Sequence, residues 1–311
     1  MIESKDLTKL YGREAAVDKV NFSIQRGEVV GFLGPNGAGK TTTMRMLTGY
    51  LPPTFGTAVV AGFDVVTDSL EVRKRVGYLP ETAPLYADIT VLEYLQFIGG
   101  LRGLSGSALS LGIERAVESC GLGEVLGKDA DELSKGFRQR VGIAQAIVHD
   151  PDILILDEPT SGLDPSQVVE VRELISALGK EKTVILSTHI LSEVQAVSSR
   201  VIIITAGHIV ADGTLEELRR HERARAHGGG IVLQVRATEE TVRRKLETLP
   251  GAGPIQTRVQ DGVLHVEIPT SEDLRERVFQ MAVSEGWTLL ELRRHIPSLE
   301  DIFLDLTGKL K

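Results

Sequence analysis

The sequence is poor in cysteine and has fewer basic than acidic residues. Cys120 is the only cysteine among 311 residues, which excludes a disulfide framework and a cysteine-based zinc cluster within the chain and suits a reducing compartment. A single thiol of this kind usually packs in the protein interior. The formal net charge is -8, so a dominant phosphate-backbone partner is not expected, and we predict no nucleic-acid partner.

Long apolar runs are also missing. The runs at Val201 to Thr205 and Ile153 to Leu156 have the length of strands, far below the roughly 18 to 20 residues that cross a bilayer. The first residues, MIESKDLTKLYG, place no apolar stretch behind a basic start, so we do not expect a secretory signal. We therefore expect a cytoplasmic protein whose membrane role, if it has one, comes through a partner.

A glycine-rich loop is the first motif that the chain does contain. GPNGAGKTT fits the phosphate-binding pattern G-x-x-x-x-G-K-[ST] and follows an apolar strand, which argues against a fortuitous turn. Backbone N–H groups in such a loop point at phosphate oxygens. We expect Lys40 to reach the β and γ phosphates and Thr41 to ligate Mg²⁺. The predicted nucleotide-binding residues of the loop are Gly34, Pro35, Asn36, Gly37, Ala38, Gly39, Lys40, Thr41 and Thr42.

Two acidic residues end a second apolar strand, ILILDE. Burying carboxylates there is costly unless a cation or a water needs them. We expect Asp157 to be a Mg²⁺ partner and Glu158 to polarise the attacking water as general base. The alternative, in which the pair only caps the next turn, is disfavoured by the phosphate loop upstream and by SGLD downstream.

The order of predicted elements divides the chain in two. Residues 1–227 alternate apolar strands with helices, which predicts an α/β P-loop domain with a mostly parallel sheet and a helical insert at about 85–150. Three glycines at 228–230 predict a flexible joint. Residues 231–311 predict a small α+β domain of ferredoxin-like order βαββαβ, followed by a final helix. The predicted helices include Arg138 to Val148, Ile113 to Cys120, Leu215 to Ala226, Glu239 to Leu249, Ser271 to Ser284 and Leu299 to Leu306.

The stretch LSKGFRQR, just upstream of ILILDEPTSGLDP, resembles the signature motif of ATP-binding cassette (ABC) ATPases. Residues 1 to about 214 resemble the nucleotide-binding domain of an ABC transporter and contain every motif of that family in the family's order. In the family, the signature of one subunit closes over the nucleotide held by the phosphate loop of another. The resemblance therefore implies a homodimer with ATP and Mg²⁺ as cofactors and an integral membrane permease as partner.

The resemblance also implies roles for single residues. Tyr11 corresponds to the aromatic that stacks on adenine, with an ordinary packed aromatic as the alternative. His189 in STHILSE matches the switch histidine that contacts the γ-phosphate, and it joins Glu158 as an expected catalytic residue. The signature residues that approach ATP from the other subunit are Ser134, Lys135 and Gly136. The loop that touches the opposite subunit, the D-loop, consists of Ser161, Gly162, Leu163 and Asp164.

Three positions depart from the family's pattern. The usual LSGGQ is LSKGF here, with Lys135 in place of a glycine and Phe137 in place of glutamine. We expect the phosphate contacts of Ser134 and Gly136 to survive. Glu81 in VGYLPE stands where the family normally has glutamine, as a third predicted Mg²⁺ ligand that adds negative charge beside the γ-phosphate.

The combination of GYLPE, SKG-x-RQR and a C-terminal PSLEDIFLDLTG resembles the ATPase subunits of ABC-2 type exporters, such as gliding-motility and drug-resistance systems. Pro297 to Leu306 also fits an ordinary amphipathic helix. The implied function is an ATP-hydrolysing subunit on the cytoplasmic face of the membrane that powers export. The alternatives are a soluble ABC ATPase that acts on ribosomes or nucleic acid, and a different P-loop enzyme such as a kinase. The transported substance is not encoded in this chain.

Overall fold

A computed structural model describes residues 1–218, 230–270 and 272–295 together with positions 303 and 308. The chain divides into two compact units, Met1–Thr214 and Leu215–Gly308. Within the described residues, no helix combines the length and the apolar character that a bilayer crossing requires. The larger unit has two sheets and two apolar cores, and the smaller unit has one of each.

The larger unit contains ten strands and seven helices among its described residues. The strands are β1 (Ile2–Tyr11), β2 (Glu14–Ile24), β3 (Val29–Leu33), β4 (Phe55–Val60), β5 (Phe63–Asp64), β6 (Val76–Leu79), β7 (Ile153–Asp157), β8 (Thr183–Thr188), β9 (Arg200–Thr205) and β10 (His208–Thr214). The helices are α1 (Lys40–Leu47), α2 (Ser69–Arg75), α3 (Val91–Leu101), α4 (Gly106–Cys120), α5 (Lys135–Ile147), α6 (Pro165–Gly179) and α7 (Leu191–Val197).

A six-stranded sheet in the order β10-β9-β3-β8-β7-β6 forms the centre of this unit. All its neighbouring strands pair in parallel except β9 and β10. Strand β7 is buried along its whole length. Its residues Ile153 and Ile155 belong to one apolar core, whereas Leu154 and Leu156 belong to another. Burial on both faces explains why this strand reads as a continuous apolar run, and the predicted α/β class is confirmed.

A second sheet, in the order β2-β1-β4-β5, is antiparallel throughout. The sequence prediction, which counted on a mostly parallel sheet, missed it. The register between β1 and β2 shifts at three points between Ser4 and Leu10. Such bulges break the regular alternation of apolar and polar residues that would identify a strand on sequence alone.

The helical insert lies between β6 and β7 and contains α3, α4 and α5. Two of its predicted helix starts were wrong. Helix α4 begins at Gly106 rather than at Ile113, and α5 begins at Lys135 rather than at Arg138. Ser134 is the N-cap of α5, and its side chain accepts a hydrogen bond from the Phe137 backbone N–H at 3.3 Å. The signature motif is therefore the first turn of a helix and not a loop before it.

The smaller unit contains β11 (Gly230–Arg236), α8 (Glu239–Leu246), β12 (Gln256–Gln260), β13 (Val263–Pro269), α9 (Arg275–Ser284) and β14 (Thr288–His295). Its antiparallel sheet has the order β12-β13-β11-β14. This is the ferredoxin-like βαββαβ arrangement, as predicted. Gly230 pairs with Pro269 and His295 as the first residue of β11, so it belongs to the sheet and not to a joint.

Two helices of the smaller unit have bounds that differ from the predicted ones. Helix α8 ends at Leu246, three residues before the predicted end, and α9 begins at Arg275. The predicted joint at Gly228 and Gly229, most of the helix to Ala226 and the final helix from Leu299 lie outside the described residues, apart from Phe303.

Candidate functional site

The phosphate-binding loop connects β3 to α1 at the carboxyl edge of the central sheet, where ligands of α/β proteins usually bind. The backbone N–H of Gly34 donates to the Thr188 carbonyl at 3.3 Å, which joins the loop to the end of β8. Gly39 has a φ of 103°, and a Cβ there would lie 2.5 Å from the Ala16 carbonyl oxygen. Only glycine fits this position.

Lys40 is buried at the start of α1, with a relative exposure of 5%. Its ammonium donates to the carbonyl oxygens of Gly34 at 2.8 Å and Pro35 at 3.2 Å. It also lies 3.2 Å from Oε1 of Glu158. The Lys40 ammonium is thus buried at the base of a glycine-rich loop, and phosphate oxygens can replace its present oxygen contacts. This fits the predicted role of Lys40 in binding phosphate groups.

Glu158 lies directly after β7 in the left-handed region of backbone space, with φ at 49°. A non-glycine residue pays a backbone strain for this conformation, and such residues concentrate at functional sites. Hydrogen bonds hold the strained residue in place, since its N–H donates to the Ser187 carbonyl and its carbonyl accepts from the Ser161 N–H. Oε2 of Glu158 lies 2.9 Å from Nδ1 of His189. Glu158 thus contacts both Lys40 and His189.

Asp157 is the last residue of β7 and is fully buried. Burial raises the pKa of its carboxyl, and the charges of Glu158 and Glu81 add to the rise, whereas the Ser187 hydrogen bond and the nearby Thr41 hydroxyl oppose it. Oδ1 accepts from the Ser187 hydroxyl at 2.7 Å. Oδ2 is buried with no hydrogen-bond partner within the described part of the chain. A cation beside Oδ2 would compensate this buried charge.

These features fit a Mg²⁺ ion that is held jointly by the protein and by a nucleotide. No group of three His, Cys, Asp or Glu side chains in the described ranges is placed to hold a metal by itself. Mg²⁺ normally takes only one or two protein ligands and completes its shell with phosphate oxygens and water. The Thr41 hydroxyl and Asp157 meet that requirement, and Glu81 lies in the same cleft.

A cleft of about 340 Å³ brings most of the predicted loop together with the acidic residues. It is lined by Ala16, Asn36, Gly37, Ala38, Gly39, Lys40, Thr41, Thr42, Glu81 and Glu158. The sequence reasoning missed Ala16 and Ser187. Tyr11 lies at the end of β1, outside the lining of this cleft, and is 53% exposed. The Lys9 ammonium lies 5.8 Å from the centre of its ring. The exposed ring does not fit the packed-aromatic alternative, and adenine stacking by Tyr11 stays a prediction.

The signature residues lie on the surface of the insert. Ser134 and Lys135 are exposed, whereas Gly136 is buried. A Cβ on Gly136 would lie 2.7 Å from the side chain of Gln167, and a Cβ on Gly162 would lie 2.0 Å from the Lys135 ammonium. The signature of the chain therefore packs against the D-loop of the same chain and the first turn of α6.

The D-loop links Glu158 to α6. Ser161 donates its backbone N–H to the Glu158 carbonyl at 3.1 Å, and Leu163 packs against the apolar core. Asp164 is the N-cap of α6 and accepts from the backbone N–H groups of Ser166 and Gln167. Hydrogen bonding, chiefly from the Ser166 hydroxyl, lowers the pKa of the Asp164 carboxyl. The structure therefore shows a capping function for Asp164, and the inter-subunit roles of the loop stay predictions.

Comparison with known proteins gives a consistent set of relatives. The sequence model of the ABC transporter family matches residues 17–161. The bacitracin transport ATP-binding protein BcrA of Bacillus licheniformis is 33% identical over 310 residues, which cover 99% of this chain and 97% of that protein. The probable multidrug ABC transporter ATP-binding protein YbhF of Escherichia coli K12 is 42% identical over 220 residues, which cover 70% of this chain. That match spans only 38% of the length of the E. coli protein.

Solved structures give the same similarity. A dimeric ATP-binding cassette in a post-hydrolysis state, bound to ADP and Pi, superposes with a TM-score of 0.64 at 26% sequence identity. The superposition covers 69% of this chain and 99% of the cassette. The similarity is therefore to a complete cassette, and the remainder of the chain lies beyond it.

Proposed function

The chain belongs to the ABC transporter family as an ATP-binding subunit of the export and resistance type, and we propose that two copies of it power a separate membrane permease. It is an ATPase. The proposed complex holds it at the cytoplasmic face of the membrane through the permease, and export is the proposed direction. The full-length match to the bacitracin transport protein and the paired state of the similar cassette support this proposal.

The observation that carries the proposed chemistry is the contact of Glu158 with both Lys40 and His189. Glu158 is 7% exposed and fixed by its backbone hydrogen bonds, so its carboxylate is positioned to accept a proton from an attacking water. When the γ-phosphate is bound, Lys40 and His189 contact it and offset its charge. Thr41, Asp157 and Glu81 would hold Mg²⁺, which would neutralise further charge on the phosphates.

A groove of about 660 Å³ on the larger unit supports the proposed permease contact. Three apolar side chains in its lining are mostly exposed, namely Tyr50 at 71%, Leu70 at 68% and Leu101 at 68%. Its charged lining consists of three basic residues, Arg73, Lys74 and Arg102, and one acidic residue, Glu71, which pairs with Lys74 at 2.6 Å. Apolar area beside an excess of basic side chains is typical of a protein-binding surface. We propose that a cytoplasmic segment of the permease with apolar and acidic side chains occupies this groove.

Replacing Leu101 by Glu tests the groove. We expect basal hydrolysis to stay unchanged, because Leu101 lies outside the nucleotide cleft. Permease-stimulated hydrolysis and export should fall about tenfold or more, since a carboxylate then enters an apolar contact. The measurement is phosphate release by the wild type and the variant, each reconstituted with the permease that co-purifies from solubilised membranes. Leu111→Glu is the matched control, because Leu111 is an exposed leucine of α4 outside the groove. Equal stimulation of the wild type and Leu101→Glu would refute this docking surface.

We also propose that residues 1–227 form the nucleotide-binding domain and 231–311 an accessory domain that stabilises the pair. The smaller unit has its own core, in which Leu233, Val242, Val266 and Val278 are fully buried. An independent core of this kind is the mark of a separately folding module.

A chain ending at Arg225 tests the accessory role. It should bind ATP as the full chain does, because every proposed phosphate ligand lies before that point. The fraction of paired chains without nucleotide should decrease, together with export in cells. Sedimentation and nucleotide titration of both chains measure these quantities. An unchanged paired fraction and unchanged export would show that the accessory domain is dispensable.

A further inference from the structure

A buried carboxylate that the proposed mechanism does not use lies beside the site. Glu193 is 2% exposed in the first turn of α7. Its Oε1 accepts a hydrogen bond from the Thr160 hydroxyl, and its Oε2 accepts one from the Thr188 hydroxyl at 2.6 Å. Both threonines are buried as well, at 5% and 0% exposure. Burying a carboxylate is costly. Among the residues that the structure describes, the hydrogen bonds that offset this cost come from hydroxyl groups and not from a basic side chain.

Each threonine immediately precedes a loop that lies beside Glu158, namely the D-loop after Thr160 and the loop with His189 after Thr188. Thr160 immediately precedes the D-loop, and the Leu163 N–H donates to its carbonyl. Thr188 ends β8 immediately before His189, and its hydroxyl also accepts from the Ile190 N–H at 3.0 Å. The hydrogen bonds of Glu193 therefore fix both loops relative to one carboxylate.

Both threonine hydroxyls donate to Glu193, so each of its two terminal side-chain atoms has to be a hydrogen-bond acceptor. Each hydroxyl donates its proton to Glu193, which leaves a lone pair of Thr188 for the Ile190 N–H. An ionised carboxylate accepts at both oxygens, whereas a glutamine side chain presents an NH₂ group on one side. Glutamine would force one threonine hydroxyl to turn, and the loop that follows it would lose its fixed orientation.

We propose that Glu193 is a positioning residue that couples the D-loop to His189. The inference rests on the proposed function, in which the D-loop touches the opposite copy. A displacement of the D-loop by the opposite copy would then reach His189 and Glu158 through Thr160, Glu193 and Thr188. Glu193 itself does not line the nucleotide cleft. Its effect is on the coordination of the two sites of a pair.

Glu193→Gln is the direct test. We expect kcat to fall about tenfold, a typical size for coupled sites, with KM little changed because the phosphate ligands remain. The Hill coefficient for ATP should fall toward about one, because ATP binding at one site of the pair then no longer affects the other site. Rates are measured per folded, ATP-binding chain, so that a loss of stability alone does not register. A wild-type Hill coefficient and kcat in this variant would overturn the proposal.

Two isosteric variants test the same link without altering the carboxylate. Thr160→Val and Thr188→Val should each lower kcat and cooperativity, and the double variant should be no worse than the poorer single one, since both interrupt one pathway. Effects that multiply in the double variant would contradict a shared link. Thr183→Val is the matched control, because Thr183 is a buried threonine of β8 whose hydroxyl accepts from the Gly27 N–H at 2.9 Å. An equal loss of cooperativity in this control would also overturn the proposal.

The experiment separates this inference from the proposed function. If the wild type neither pairs with ATP nor shows cooperativity, the proposed paired mechanism fails and the inference fails with it. If the wild type pairs and is cooperative while Glu193→Gln behaves identically, only the inference fails.

Discussion

Glu158→Gln is expected to lower kcat by a factor of about 10² to 10⁴, the usual contribution of a general base. The amide has nearly the same shape but does not accept the proton of the attacking water. ATP affinity should stay equal or increase, because the variant removes the charge that lies 3.2 Å from the Lys40 ammonium and competes with phosphate. Single-turnover phosphate release and nucleotide titration measure the two quantities.

A matched replacement separates this effect from a general loss of charge. Glu285 pairs with Lys245 at 2.6 Å in the smaller unit, and Glu285→Gln should retain wild-type turnover. Rapid hydrolysis by Glu158→Gln with normal affinity for ATP would contradict the assignment of the general base. Slow hydrolysis with a comparable loss of ATP affinity would instead indicate a damaged phosphate loop.

The parts of the site that were predictable are those in which local sequence demands a geometry. The spacing of Gly34, Gly39 and Lys40 predicts a loop whose backbone N–H groups face a phosphate. The structure explains why glycine is needed at Gly39, since a side chain there would collide with Ala16. The continuous apolar run before Asp157 predicts a strand buried on both faces. The ferredoxin-like order of the smaller unit followed from its alternating patterns in the same way.

The contacts between distant segments were not predictable. His189 meets Glu158 because β7 and β8 are neighbours in register, with Asp157 opposite Ser187, and no local pattern encodes strand order. No local sequence pattern marks Glu193 as a buried residue. Its burial depends on the packing of α7 beside the loops that begin at Thr160 and Thr188. Helix α5 started earlier than predicted because Ser134 caps it despite the glycine that follows at Gly136.

ATP-dependent pairing is expected to disappear when Ser134 is replaced by Arg. Ser134 is exposed at the first turn of α5, where backbone N–H groups and the helix dipole favour an anion. In the proposed pair, the anion is the γ-phosphate bound by the opposite copy. A long side chain at this position fills that space, so the two copies cannot close over the nucleotide.

The pairing experiment uses the Glu158→Gln background, because slow hydrolysis keeps ATP bound. Light scattering should show a nucleotide-dependent shift from monomer to dimer for Glu158→Gln and no shift for the variant that also carries Ser134→Arg. Ser105→Arg is the matched control, since Ser105 is the exposed N-cap of α4 in the same insert. The control should pair as Glu158→Gln does. If Ser134→Arg pairs equally well, the signature does not form part of the opposite site. If ATP titration shows that Ser134→Arg still binds nucleotide while pairing is lost, the defect lies in closure and not in the phosphate loop.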